Sequence, residues 1–430
     1  MATATNPDQW LTARRLRAHG TILALCLWAF YAWNLATPGL RDRNDKLKGT
    51  DFLHFYTLGS LARMHDGADL YDMNAQAALA AQRVPQAAGI RYLPLYPPQV
   101  SLLFLPLAHL AYGWALILWW SCSAAIYGIC CYAVWRACPN LRDYGGLAAL
   151  LAVAFPAFFH LIAWGQTSAL GLACFTGIFF LLRGGREFLA GLVLGCLIFK
   201  PQLGLAAVVV FVAIGAWRIL FGATLSAAVQ LSAGVLYYGT GPLRQWIYLL
   251  RHVRTGLPLL EPKLYQTYSL RTFWTMLVPW EGVAFGLYLA STIVTLVLTY
   301  ACWRRGSLRN SPVHSPAVGS SPAPLALPYS SLLVATVLVA PHLTVYDLVI
   351  LAPAFLLLAD WLIEARTLQG RASRASALGL GSLLYLSYAL PLVGPFAAWT
   401  HFQLPVVAMA AMAYVIWQNC REYGQPPLSS

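Results

Sequence analysis

Two residues frame the chemistry open to this chain of 430 residues, Asp51 and Lys200. Asp51 heads the run Asp51-Phe-Leu-His54-Phe-Tyr56. A carboxylate there can cap a helix by accepting from its free N–H groups. It can equally act as a general base, taking the proton from an acceptor hydroxyl. Lys200 lies in Phe199-Lys200-Pro201-Gln202, between apolar stretches. An ammonium at that depth needs an anion or a watery cavity, and a lipid phosphate is a natural partner. The plain alternative is a lysine that snorkels to the interface. Arg271 can join Lys200 on a phosphate with a bidentate grip, and Arg251, Arg254 and Lys263 share its loop. Trp164-Gly165-Gln166 forms a tight turn whose amide can bind a polyol. His342 and Asp347, in Pro341-His-Leu-Thr-Val-Tyr-Asp347, can move a proton, hold sugar hydroxyls or simply bond to each other. His54, His160, Tyr268 and Ser269 complete the set of polar candidates.

These residues must be positioned by a membrane scaffold. The chain is 59% apolar and 10% charged, whereas a soluble domain carries about 25% charged residues. Apolar runs recur near 21–38, 112–135, 144–162, 168–182, 187–199, 202–216, 219–239, 282–303, 327–341, 346–363, 375–393 and 401–420. Each approaches the ~20 residues that cross a bilayer, so an all-α integral membrane protein of about twelve transmembrane helices is expected. The runs 187–199 and 202–216 are short and flank Lys200-Pro201, which suggests a tilted, broken or re-entrant pair. The first run follows Arg14, Arg15 and Arg17 and is longer than a signal-peptide core, so a retained first helix is expected.

Basic residues in the short loops orient the chain with both termini cytoplasmic. Two long segments, 39–111 and 240–281, then lie outside. Asp51, His54, His160, Gln166, Lys200, Tyr268, Ser269, Arg271, His342 and Asp347 all fall at or near the outer ends of spans. In the first outer segment, 52–64 has the spacing of an interfacial helix and 72–83 that of a second short helix. The Ser- and Pro-rich stretch 304–326 reads as a flexible cytoplasmic linker between a module of residues 1–303 and a four-helix segment of 327–430.

Several function classes are excluded. The net charge of +13 is scattered between spans, without a basic stripe, so it fits contacts to membrane lipids and not to nucleic acid. The nine cysteines form no CxxC pair or Cys/His cluster. No P-loop, dinucleotide fingerprint or HExxH motif occurs. Asp66, Asp69 and Asp72 read as loop structure, so neither a metal nor a cofactor is expected.

The ordered set Asp51-Phe, Tyr96-Pro-Pro-Gln-Val, Pro106-Leu-Ala, Gly165-Gln166, Lys200-Pro-Gln-Leu, Tyr268-Ser269-Leu and Pro341-His…Tyr346-Asp347-Leu resembles glycosyltransferase family 87. That family belongs to the GT-C superfamily and includes polyprenol-phosphate-mannose-dependent α-1,2-mannosyltransferases. The resemblance implies a GT-C-like fold whose first and fourth outer loops build the active site, with Asp51 as base. It implies a polyprenyl-phosphate-linked sugar as donor, a hexose such as mannose as the group moved, and a lipid or glycan as acceptor. The site then faces the periplasmic side of the cell membrane, and a single inverting displacement is expected. Lys200 and Arg271 hold the donor phosphate; His54, Gln166, Tyr268, Ser269, His342 and Asp347 hold sugar or acceptor. The alternative is a lipid or glycolipid transporter or flippase, which calls for mid-span charges and gates on both faces. A structural subunit, with the same residues as anchors, is the third class.

Overall fold

The computed structural model describes residues 10–253, 261, 263–309, 323–368 and 379–422. The linker prolines and serines within 310–322, and Arg254 of the second long segment, lie outside the described residues. The regular structure is helical: among the described residues there is no strand, only isolated bridges between Arg41 and Leu47 and between Thr267 and Thr344.

In chain order the helices are α1 (Ala13–Leu35), α2 (Phe52–Arg63), α3 (Met73–Arg83), α4 (Val100–Phe104), α5 (Tyr112–Ala137), α6 (Gly145–Val153), α7 (Pro156–Trp164), α8 (Ser168–Arg183), α9 (Glu187–Gly195) and α10 (Pro201–Ala213). They continue with α11 (Trp217–Tyr238), α12 (Thr240–Arg251), α13 (Leu270–Leu277), α14 (Glu281–Arg309), α15 (Ala323–Val339), α16 (Ala352–Leu368), α17 (Leu380–Ala389), α18 (Gly394–Thr400) and α19 (Leu404–Glu422).

Among the described residues each expected apolar run falls mainly on helix, but a count of about twelve full crossings does not follow. By length and apolarity five segments among the described residues can cross a membrane: Tyr112–Ala137, Trp217–Tyr238, Glu281–Arg304, Val345–Arg366 and Leu380–Thr400. A sixth arises if Pro139–Val153 and Pro156–Trp164, bent by 46°, count as one. Part of the difference is length, since Ser168–Arg183, Glu187–Phe199, Pro201–Ala213 and Leu325–Val339 are shorter apolar helices, and part is backbone breaks. Phe155-Pro156 interrupts one run, because proline offers no N–H to the preceding turn. Lys200-Pro201 separates two short runs, as expected, and α9 tightens into a 3-10 turn at Cys196–Phe199 before α10 starts.

α5, α11 and α14 lie at the periphery, exposing Trp114, Ile129, Phe221, Leu236, Phe285 and Ile293 as a membrane-facing helix would. α8, α15, α16 and the 3-10 segment Val345–Leu351 form the buried centre, where Phe179 packs on Tyr329. α9 lies hard against α11: a Cβ on Gly191 would sit 2.1 Å from the Ile219 carbonyl oxygen, a close approach that small residues permit within membranes.

The segment 52–64 differs from the interfacial helix expected. Eleven of the twelve residues of α2 are buried, so no face is left for water. Its hydroxyls are satisfied internally: Thr57 and Ser60 donate to the carbonyls of Leu53 and Tyr56, one turn earlier. Packing against α3, α4 and the 3-10 turn Leu107–His109 turns it into a core element. α3 forms where expected, with Asp72 accepting from the N–H groups of Asn74 and Ala75.

Candidate active site

Asp51 is placed by backbone before its side chain does anything. Its N–H donates to the Trp164 carbonyl (3.0 Å), docking the start of α2 on the end of α7. The chain leaves α7 through Gly165, whose φ of +71° closes the helix in the left-handed region. A Cβ there would stand 2.7 Å from Cβ of Phe52, so glycine allows the approach as well as the turn. Trp119 of α5 pins the same turn by donating Nε1–H to the Gly165 carbonyl (2.9 Å).

The capping reading of Asp51 does not hold: its side chain makes no hydrogen bond to the free N–H groups of α2. Oδ2 instead accepts from Nε2 of Gln166 at 2.7 Å. Asp51 keeps partial solvent access while its carboxyl is closely surrounded. Burial raises its pKa from the ordinary 3.8 to about 6; the Gln166 bond and Lys200 pull it down, and Asp347 pushes it up. The carboxylate is thus ionised at neutral pH yet far more basic than a surface aspartate.

Lys200 finds its anion inside the protein. Nζ donates to Oδ1 of Asp347 at 2.8 Å, and both side chains are buried. Nζ also lies 4.9 Å from the Tyr346 ring centroid and 3.4 Å from Oγ of Ser168. Ser168, the first residue of α8, donates to the same Asp347 oxygen, and the Thr344 N–H donates to Oδ2. A buried ion pair of this kind holds only when its remaining valences are met, as they are here.

His54 stands one turn beyond Asp51, with its ring centroid 5.1 Å from that of Tyr92 and 5.7 Å from that of Tyr96. It is buried, and neither ring nitrogen has a partner. Burial lowers its pKa to about 4, so the imidazole is neutral and has an open donor and an open acceptor. Tyr92 donates to the Thr50 carbonyl beside Asp51.

Apart from His160, the remaining candidates lie in and around a second cluster. Glu261 accepts from the Arg271 guanidinium at both oxygens and bonds Nδ1 of His342 at 2.7 Å. Arg271 also donates to the Pro341 carbonyl. His342 and Asp347 therefore do not pair with each other: His342 turns toward Glu261, and Asp347 toward Lys200. Tyr268 donates its hydroxyl to the Pro391 carbonyl and its N–H to the Leu343 carbonyl. Ser269 caps α13 in a reciprocal box with Thr272. His160 spends Nδ1 on the Pro156 carbonyl within its own helix. The structure thus brings Asp51, His54, Gln166, Lys200 and Asp347 into one neighbourhood and sets Arg271, His342, Tyr268 and Ser269 into the packing of the adjoining loop.

Sequence reasoning missed Glu261, Ser168 and Tyr92. Glu261 gives no local signal, being a lone acid in a loop. Ser168 ends the Gly165-Gln-Thr-Ser168 stretch, which reads as no nucleophile motif and here serves Asp347.

An all-helical bundle with five or six segments long and apolar enough to cross a membrane, among the described residues, is the architecture of a multi-pass membrane protein. Residues 95–328, more than half of the chain, match glycosyltransferase family 87, and the chain belongs to that family. It is a membrane glycosyltransferase. The match includes Gln166, Lys200, Tyr268, Ser269 and Arg271; Asp51, His54, His342 and Asp347 lie beyond its ends. No curated protein and no solved structure matches the chain.

Proposed function

We propose that this protein moves a hexose from a polyprenyl-phosphate-linked donor to a hydroxyl of a lipid or glycan acceptor, at the outer face of the cell membrane, with Asp51 as the base. The observation that carries this reading is the state of Asp51: a carboxylate with one neutral hydrogen-bond partner, raised to about 6 by burial. Such a group is ionised at neutral pH and basic enough to take a proton as the acceptor oxygen attacks.

The acceptor oxygen bonds to the anomeric carbon, the bond from that carbon to the phosphate oxygen breaks, and the hydroxyl proton passes to Asp51. One displacement inverts the anomeric centre. Polyprenyl phosphate leaves as a weak base, so cationic stabilisation by Lys200 suffices where an acid would otherwise be needed. Asp347 holds Lys200 in place before the donor arrives and keeps its charge from standing alone. Arg271, bound to Glu261, supports the loop beside the site in this scheme and does not grip phosphate. The open nitrogens of His54 are left for sugar or acceptor hydroxyls, and Gln166 orients the Asp51 carboxylate.

The test is transfer by the purified protein from a polyprenyl-phosphate-linked hexose to mixed lipid and glycan acceptors. Asp51→Asn keeps the acceptor atom for Gln166 but not the base, and should slow transfer about 10²–10⁴-fold. Wild-type transfer by a folded Asp51→Asn protein would remove Asp51 from the chemistry. Retention of configuration in the product would exclude a single displacement.

A further inference from the structure

A cleft of about 660 Å³ opens beside α2, away from Asp51. Residues 56 and 63 share one stripe of this helix; residues 51 and 58 share another, about 140° round the axis. The cleft is lined by the basic residues Arg63, Arg83 and His109 and by the apolar and aromatic residues Tyr56, Trp114 and Ile117, with no acidic residue in its wall.

The two arginines converge. Nη1 of Arg63 and Nη2 of Arg83 both donate to the Ala108 carbonyl, at 3.4 and 2.7 Å. Arg83 also donates to the Tyr56 hydroxyl at 2.6 Å. Neither arginine has a carboxylate partner among the described residues. The nearby Asp45 is taken by Arg41, which reaches the rim through the Gln86 carbonyl. Two guanidinium groups gathered on one oxygen repel each other, and a bound anion relieves that repulsion.

The apolar part of the lining indicates what carries the anion. Trp114 and Ile117, at i and i+3 on α5, are 69% and 50% exposed on a helix long and apolar enough to cross the membrane. They extend the cleft as an apolar ridge along the span. A free phosphate would use the arginines alone, whereas a lipid uses the apolar residues as well.

We propose that this cleft holds the phosphate head group of an anionic membrane lipid, with its chain laid along Trp114 and Ile117. The site lies apart from the Asp51–Lys200 cluster and does not depend on the reaction assigned to that cluster.

The experiment uses the full-length protein in nanodiscs made of equal parts phosphatidylcholine and phosphatidylglycerol, with retained lipid measured by native mass spectrometry. Wild type should retain phosphatidylglycerol in preference to phosphatidylcholine. Arg63→Gln combined with Arg83→Gln should weaken that retention about thirtyfold, as two juxtamembrane charges are lost. Because Arg83 also braces Tyr56, Gln86→Glu supplies a second arm: Gln86 receives Arg41 through its backbone, and a carboxylate there should weaken retention about fivefold. Unchanged retention in both variants would overturn the proposal, as would equal loss of both lipids. Release of the bound lipid by inorganic phosphate would show a free-anion site and overturn it too.

Discussion

Asp51 and Glu261 are both carboxylates on loops at the same end of the bundle, and their surroundings are opposites. Glu261 is saturated: Arg271 occupies both oxygens and His342 shares one. Its pKa is lowered, because although burial raises it, the His342 bond and Arg271 outweigh burial. Asp51 has a single amide for company, and burial prevails. The same side-chain chemistry thus becomes a clasp in one region and a base in the other. What separates them is how many charged donors the fold supplies within hydrogen-bonding distance.

This contrast breaks if the two acids respond alike to substitution. Asp51→Asn should lose about 10²–10⁴-fold in transfer with little change in unfolding temperature. Glu261→Gln should do the reverse, costing about 1–3 kcal/mol of stability as its charged bonds weaken while keeping most activity. Equal activity losses in the two variants would erase the distinction. Lys200→Met, which leaves Asp347 buried and unpaired, should destabilise the protein by about 3–5 kcal/mol in a detergent unfolding assay. Adding Asp347→Leu to it should recover much of that stability without recovering transfer, if Lys200 meets the donor phosphate.

Smaller effects sharpen the comparison. Gly165→Ala forces a Cβ against Phe52 at positive φ, costing about 1–3 kcal/mol and moving Asp51 relative to Gln166. Its signature is slower transfer at saturating acceptor. Acidification should separate the two regions. Asp51 must be ionised to accept a proton, so transfer falls about tenfold per unit as pH drops below about 6. Glu261, with its lowered pKa, contributes stability that is complete above its ordinary 4.5 and is lost only as pH falls below that. Between those limits the protein should stay folded and lose activity reversibly; coincident unfolding would refute the assignment.

Much of this arrangement is legible in the sequence. Uninterrupted apolar runs mark α5, α11 and α14, and the Gly165 turn and the Lys200-Pro201 break are visible as punctuation. A lysine between apolar stretches demands an anion, and that demand is met. The identity of the anion could not be read, because Lys200 and Asp347 stand 147 residues apart and no local pattern joins them. The burial of α2 was hidden for another reason. Thr57 and Ser60 look water-facing in a string of letters, but hydroxyls that bond to their own helix carry no demand for water. Glu261 is the converse, an inconspicuous loop residue whose role exists only once Arg271 and His342 are folded around it.

The Lys200–Asp347 clasp also sets a timetable. A ribosome adding about 5–20 residues per second needs roughly 7–30 s to travel from Lys200 to the carboxylate that receives it. Throughout that interval the lysine is without its direct ion-pair partner, and of the carboxylates that act on it only Asp51 is already in the chain. Biogenesis of this protein therefore has a charged waiting period written into it, closed only when the segment carrying Tyr346 and Asp347 arrives.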